Sequence, residues 1–253
     1  MIVRAQKPAS QCHAVIDEIH LRLEARGFRR EKPRSDDSRF AWWSKPAFGD
    51  CIFLLEFLGS PPRGGEIEFL ISLGVGSSRY TETENHVKVW ECDPLWPQAP
   101  MEYPLDLVRV ALHWLQLNAD PTIPRQGWSA SAESARACAA QVDRDFEVFG
   151  LPFLESVSTS AALIHLLQNI DAYPRKIAAQ GPGSGEASLC AALLLHWDGQ
   201  RDAAIRELDL GLREDIARYQ RMFGHTPRCE EAIQVRRCKI ERYRALFHSE
   251  PAR

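Results

Sequence analysis

Hydrophobic and polar positions along this chain alternate with a period of two over one long stretch. From Glu66 to Val75, the residues Ile67, Phe69, Ile71, Leu73 and Val75 share one parity, as a strand with one buried face requires. Ahead of it, Cys51 to Leu58 is apolar on both parities except at Glu56, and the turn from Gly59 to Gly65 joins the two. Arg39 to Ser44, with Phe40, Trp42 and Trp43, supplies a third strand, and His86 to Trp90 alternates well enough for a short further one. The polar run from Gly76 to Asn85 between them reads as a loop.

Elsewhere the period is helical. Ser10 can cap a helix over about 11–26 whose stripe is Val15, Ile16, Ile19, Leu21 and Leu23, with Gly27 as its stop. Cys92 to Pro104 is rich in proline and aromatic residues, which exclude regular helix and let Trp90, Trp96 and Tyr103 cover a sheet edge. Leu105 to Leu117 returns to helical spacing through Leu105, Val108, Leu112 and Leu115. A polar loop reaches Trp128, and Ser129 or Ser131 caps a helix that turns Ala135, Cys138, Ala139, Val142, Phe146 and Phe149 inward. Gly150-Leu151-Pro152 ends it, and Ser158 and Ser160 open another helix through Ile170.

The stretch Ala179 to Gly185 has the composition of a linker, and all beyond it is helical: 186–197, 201–222 and 229–247, with Asp198-Gly199-Gln200 as the first turn. Ala191, Leu194, Leu195, Gly199, Ala203, Ala204 and Leu208 stand where tetratricopeptide-type hairpins place such side chains, but a single unit is visible. The expected architecture is α+β: a small antiparallel β-sheet of three to five strands packed by helices in residues 1–178, a linker at 179–185, and a helical hairpin region, 186–253, packed on the first module.

Composition narrows the class. A chain of 253 residues with 45% apolar content can bury a sizeable core in one or two domains. A net charge of -3 does not advertise a nucleic-acid or anionic-membrane partner. Seven cysteines at 12, 51, 92, 138, 190, 229 and 238 include no Cys-x-x-Cys pair, which argues against a disulfide framework or thiolate zinc site and for reduced thiols. Met1 to Pro8 lacks the apolar segment of a secretory signal, and no apolar run approaches the roughly 20 residues of a membrane span. The expectation is a soluble, cytoplasmic protein without a membrane partner.

Candidate chemistry is sparse. His13 and His20 share a helix face with Asp17 within reach, but no His-x-x-x-His spacing occurs, so no metal is expected. His113, His165 and His196 sit beside apolar residues as packing histidines do. Gly181 to Glu186 precedes a helix but lacks the Gly-Lys-Ser/Thr ending of a phosphate loop, Leu73 to Ser78 lacks a third glycine, and no cofactor is expected. Glu56, Glu66 and Glu68 lie on neighbouring strands and either cluster or face solvent paired with Arg39 or Lys88. Arg218, Arg221, Arg228, Arg236, Arg237, Lys239, Arg242 and Arg244 concentrate positive charge near the end, spread around helices rather than in the stripe a nucleic-acid backbone needs.

The order of helix, Arg26-Gly27-Phe28, a strand with Phe40 and Trp42-Trp43, Ile52 to Leu58, Phe69 to Gly76, and Leu151-Pro152-Phe153-Leu154-Glu155 before a helix resembles the bacterial family named domain of unknown function 4304. The resemblance covers about residues 11–168 and implies an α+β fold. It brings no catalytic residues, and it implies a binding role like that of domains encoded near toxin and immunity genes. The leading expectation is therefore a non-enzymatic, protein-binding immunity protein that neutralises a toxin, with Glu56, Glu66, Glu68, Arg79, Glu82 and Glu84 as contacts. A hydrolase or nucleotide-modifying enzyme built from His13, His86, Asp106 and Glu68, or an adaptor using the helical end alone, are the alternatives.

Overall fold

A computed structural model describes residues 8–32, 39–61, 63–88, 91–92, 105–120, 122, 127–170 and 184–249. The chain forms two compact units: Met1–Val75 with Arg109–Ser158, and Gly76–Val108 with Thr159–Arg253. The segments of each unit are not consecutive, whereas the sequence suggests a break at 179–185, whose first five residues lie outside the described ones.

In the first unit, helix α1 (Pro8–Ala25) buries Cys12, Val15, Ile16, Ile19 and Leu23. Leu21, expected on that stripe, is 62% exposed. Gly27 follows at φ 83°, a left-handed conformation that ends the helix without a side-chain clash. Strands β1 (Arg29–Arg30), β2 (Phe40–Pro46), β3 (Cys51–Gly59) and β4 (Ile67–Ser77, of which the part to Val75 belongs to this unit) come next in chain and in sheet order, and β5 (Leu105–Ala111, of which Arg109–Ala111 belong to this unit) follows β4 in the sheet order. The β1–β2 and β2–β3 pairs are antiparallel, with Trp43 opposite Leu55 and Trp42 opposite Glu56. Burial along β4 alternates from Ile67 to Leu73 as its parity predicts.

The α+β class is as expected, and among the described residues the sheet has a five-strand path with a sixth strand paired off it; two of the six are short and carry no hydrophobic pattern. One is β1. The other is β6 (Trp128–Ala130), read in sequence as the end of a loop, which pairs antiparallel with Ile67–Phe69. Phe69 joins them in the core, stacked 4.7 Å from Phe57 and 6.0 Å from Trp128.

Leu105–Ala111 is strand, not helix, and helix α3 (Leu112–Ala119) begins without a break. Its apolar residues fit either period. Val108 and Val110 favour extended backbone, and Arg109 pairs with the buried Glu56 at 2.5 Å, anchoring the strand.

Helix α4 (Ala135–Asp145) buries Ala135, Ala139 and Val142, and Ser131 accepts from the backbone N–H of Ser134 at 3.2 Å ahead of it. Gly150 does not stop this helix. A π-turn at Phe146–Gly150 carries it into α5 (Leu151–Ser156), where Pro152 is tolerated in the first turn. A Cβ on Gly150 would stand 2.4 Å from Phe146 Cδ2 and 3.0 Å from Leu73 Cδ1.

The second unit holds α2 (Ser78–Val87), α6 (Ser160–Gln168), α7 (Ser184–Trp197), α8 (Arg201–Phe223) and α9 (Pro227–Ser249). The α7–α8 hairpin buries Ala191, Leu194, Leu195, Ala204 and Leu208 as expected. No single helix among the described residues is long and apolar enough to cross a membrane.

Helix α2 replaces the expected 76–85 loop and the strand at 86–90. The Ser77 hydroxyl accepts from Tyr80 N–H at 3.2 Å to start it, and Lys88 in left-handed conformation ends it. Its buried stripe, Tyr80, Thr81, Glu84 and Val87, is half polar, so no apolar period shows. Cys92 is disulfide-bonded to Cys238 on α9 across 146 residues. This corrects the expectation of reduced thiols, which short-range spacing alone supported.

Two stability measurements follow. Gly150→Ala should cost about 1–3 kcal/mol by overpacking, read as a lowered urea midpoint at constant slope. Reduction, or Cys238→Ser, should cost about 2–4 kcal/mol; a midpoint indifferent to reductant would show that the bridge carries no stability.

Candidate functional site

The strongest concentration of perturbed ionisable groups lies inside the second unit. Glu186 stands in the first turn of α7, where a negative charge suits the helix dipole. Lys239 Nζ donates to one of its oxygens at 2.6 Å and Arg236 to the other at 2.7 Å. Arg236 Nε reaches Asp215 of α8 at 2.6 Å, and Arg218 reaches the second Asp215 oxygen at 2.8 Å. Lys239 also approaches Glu84 of α2 at 3.5 Å, and the Tyr243 hydroxyl donates to Glu84. Three carboxylates thus face three cations. Glu84, Asp215 and Arg236 are each at most 5% exposed, so each charge needs a partner at contact distance.

Burial opposes the charge on Glu186, but Lys239 and Arg236 outweigh it and hold the carboxyl at about 2. Burial raises Asp215 despite Arg236 and Arg218. Burial, then Glu84, pushes the Tyr80 and Tyr243 hydroxyls well above their ordinary value. Burial likewise raises the Cys190 thiol, and Cys138 is pushed up to about 11, conditions that disfavour thiolate chemistry at neutral pH. Arg242 continues the network, donating to the carbonyls of Val87 at 2.8 Å and Lys88 at 2.6 Å and so satisfying the end of α2. Every member of this cluster is committed to another member; its work is to fix four helices.

The sequence offered a signal for this cluster that hydrophobicity conceals. Helix α8 buries Ala204, Glu207, Leu208, Gly211 and Asp215, a helical stripe with two acids in it. Much of the basic excess between Arg218 and Arg244 is consumed here, and Arg244 pairs with Asp209.

The six expected contact residues divide between the units. Glu56 and Glu84 are 5% and 3% exposed and ion-paired, so neither belongs to a docking face. Glu56 pairs with Arg109, a residue expected on a helix. In the second unit, Arg79 stacks its guanidinium 4.8 Å from the Trp197 ring, and Glu82 is exposed. Glu66 and Glu68 are exposed on the first unit: Ser129 donates to Glu66 at 3.0 Å, while Glu68 has no ion-pair partner among the described residues.

Glu68 lines an open groove of about 650 Å³ at this end of the sheet, with Arg39, Leu58, Gly59 to Pro61, Phe69, Leu70, Gly127 and Ser129. Leu58 is 50% exposed there. Gly127 is required by close approach: a Cβ would lie 2.4 Å from the Phe69 carbonyl oxygen.

The residues of the alternative enzyme do not form one site within a unit. His13 and Glu68 belong to the first unit, His86 and Asp106 to the second. Asp17 pairs with Arg30 at 2.8 Å and His20 accepts from Trp43 Nε1 at 3.3 Å, so His20 and Asp17 serve separate contacts, while His13 is exposed. Buried His196 stacks 4.3 Å from Phe247. No group of three or more His, Cys, Asp or Glu among the described residues is placed to hold a metal. No family profile matches the chain, and no curated protein or solved structure does either.

The cluster predicts an acid-sensitive stability. With Glu186 at about 2 when folded and 4.5 otherwise, the unfolded chain binds the proton first as pH falls. Its stabilisation, roughly 3 kcal/mol, is present above about pH 5 and lost toward about pH 2. Asp215, raised in the folded state, acts in the opposite sense and shrinks the net slope. Glu186→Gln should therefore lower stability by roughly 3 kcal/mol at pH 7 and converge on the parent as pH falls; a pH-independent difference in urea unfolding would overturn the assignment.

Proposed function

We propose that this chain is a non-enzymatic protein-binding protein of the immunity type, which neutralises a partner protein by direct contact through the groove in its first unit. The observation that carries the reading is the exposed carboxylate of Glu68, without an ion-pair partner among the described residues, beside the half-exposed Leu58 in one open groove that Arg39 also lines. Such a face fits a basic partner segment that also presents an apolar side chain. Burying the rest of Leu58 supplies about 1 kcal/mol, while the rim carboxylates steer encounter and reject acidic competitors. The resemblance to domain of unknown function 4304, whose setting implies toxin and immunity genes, supports the same reading.

The test is calorimetric titration of the full chain with each protein encoded by a neighbouring gene. One product should bind with one-to-one stoichiometry. Glu66→Lys with Glu68→Lys should weaken that complex about tenfold or more, mainly by slower, less salt-sensitive association, and Leu58→Ala should weaken it further. Glu82→Lys in the second unit serves as a control of unchanged affinity, and melting temperatures should stay level throughout. A complex that forms with undiminished affinity in the groove variants refutes this surface, and failure of every neighbouring product to bind refutes the immunity reading.

A further inference from the structure

The solvent side of α8 carries a row of cations that the ionic cluster does not use. On a helix with 3.6 residues per turn, positions 206, 210, 213, 217 and 221 fall within about 80° of arc and span about 22 Å along the axis. They are Arg206, Leu210, Arg213, Ala217 and Arg221, while Ala204, Leu208, Gly211 and Asp215 turn to the interior on the other side. All three arginines are exposed and have no ion-pair partner among the described residues. Leu210, between the first two, is 39% exposed, and Ala217 is half-buried.

No carboxylate stands within the arc. Of the acids at its margins, Asp209 is paired with Arg244 of α9, Glu214 is half-buried, and exposed Asp202 makes no ion pair among the described residues. Asp202 and Asp209 precede Arg206 and Arg213 by four residues, the spacing of a helix-surface pair, yet neither pair forms. The neighbouring arginines Arg218, Arg236, Arg242 and Arg244 each hold a carboxylate. The row is therefore a face of α8 with free positive charge and an apolar residue set between two of its cations.

Spacings of three and four residues are those that a second helix laid alongside presents in return. The complement of this row is a helix whose carboxylates bracket an apolar side chain, and Ala217 is small enough to let its backbone come close. A phosphate backbone would engage the arginines but leave Leu210 without a contact, and an amphipathic segment that lies on lipid has a wider apolar band than one leucine and one alanine.

We infer that this face of α8 docks an acidic amphipathic helix of a partner protein, whose carboxylates pair with Arg206, Arg213 and Arg221 while an apolar side chain covers Leu210. Exposed ion pairs contribute little each and are screened by salt, so the complex is a weak, salt-sensitive one. The inference is independent of the groove in the first unit.

The experiment titrates the intact oxidised chain, followed by amide NMR shifts, with a capped peptide of three Glu-Ala-Ala-Leu-Glu-Ala-Ala heptads. The same peptide with lysine in place of glutamate controls for charge, and one with alanine in place of leucine controls for the apolar anchor. Oligothymidylate and phosphatidylserine vesicles present the two phosphate surfaces.

Saturable shifts should run along residues 206–221 for the acidic peptide, and the lysine peptide should produce none. Arg206→Glu with Arg213→Glu should weaken the acidic peptide at least tenfold and give the lysine peptide a measurable affinity, with the melting temperature of the unliganded protein level with the parent. Leu210→Ala, or the alanine peptide, should weaken binding about threefold or more. Shifts that map elsewhere, undiminished affinity in the charge-reversed variant, or no saturation by the acidic peptide would overturn the inference. Tighter binding of the oligonucleotide or the vesicles along this face, indifferent to Leu210→Ala, would overturn the helix as its occupant.

Discussion

The second unit depends on Glu186 being reached at both oxygens, by Lys239 on one side and Arg236 on the other. Helix α7 is buried almost all round, from Ala187 to His196. Such a helix has no apolar stripe to choose its rotation, because hydrophobic contact is non-directional. The ion pairs in its first turn are directional, and they set α7 against α9. From there Asp215 ties in α8 and Glu84 ties in α2, so the register of four helices follows from one set of charges. The same arrangement makes the unit sensitive to loss of any member, since a buried charge left alone has no solvent to turn to.

The first unit is organised differently. Its sheet is fixed by interdigitated apolar faces, with the Phe57, Phe69 and Trp128 stack at the centre and the Glu56–Arg109 pair as the buried polar element. Gly127 allows the segment leading into β6 to close on Phe69, and this closure shapes the groove in which Glu68 and Leu58 lie. Polar groups are thus spent in opposite ways. The second unit consumes the charges of its ionic cluster internally, whereas the first leaves Glu66 and Glu68 on an accessible rim, and for that reason the binding proposal rests on the first.

Electrostatics also separates structural from available groups in a way that a count of charged residues does not. The basic residues of α9 read as a surface excess in sequence, but Arg236, Lys239, Arg242 and Arg244 each hold a partner. Glu207 is the reverse case. It is an ordinary residue of an amphipathic helix in sequence, yet it is buried, with Gln168 donating to one oxygen and no donor to the other among the described residues.

What the sequence by itself determined is the set of elements whose burial follows a simple period: β3 and β4 with their turn, α1, and the α7–α8–α9 series, together with the α+β class. Those elements are read correctly because apolar burial is local in its pattern, repeating every two residues or every three to four. Only the tertiary structure decided the elements whose buried faces are polar or whose period is ambiguous. Helix α2 hides Thr81 and Glu84 among its buried residues, β5 fits helix and strand alike until Glu56 meets Arg109, and β6 exists only because β4 accepts it. The Cys92–Cys238 bridge and the ionic cluster join residues far apart in sequence. The physical reason is the same in each case: a buried polar group is stable only opposite its partner, and the partner's position is a property of the folded chain rather than of local spacing.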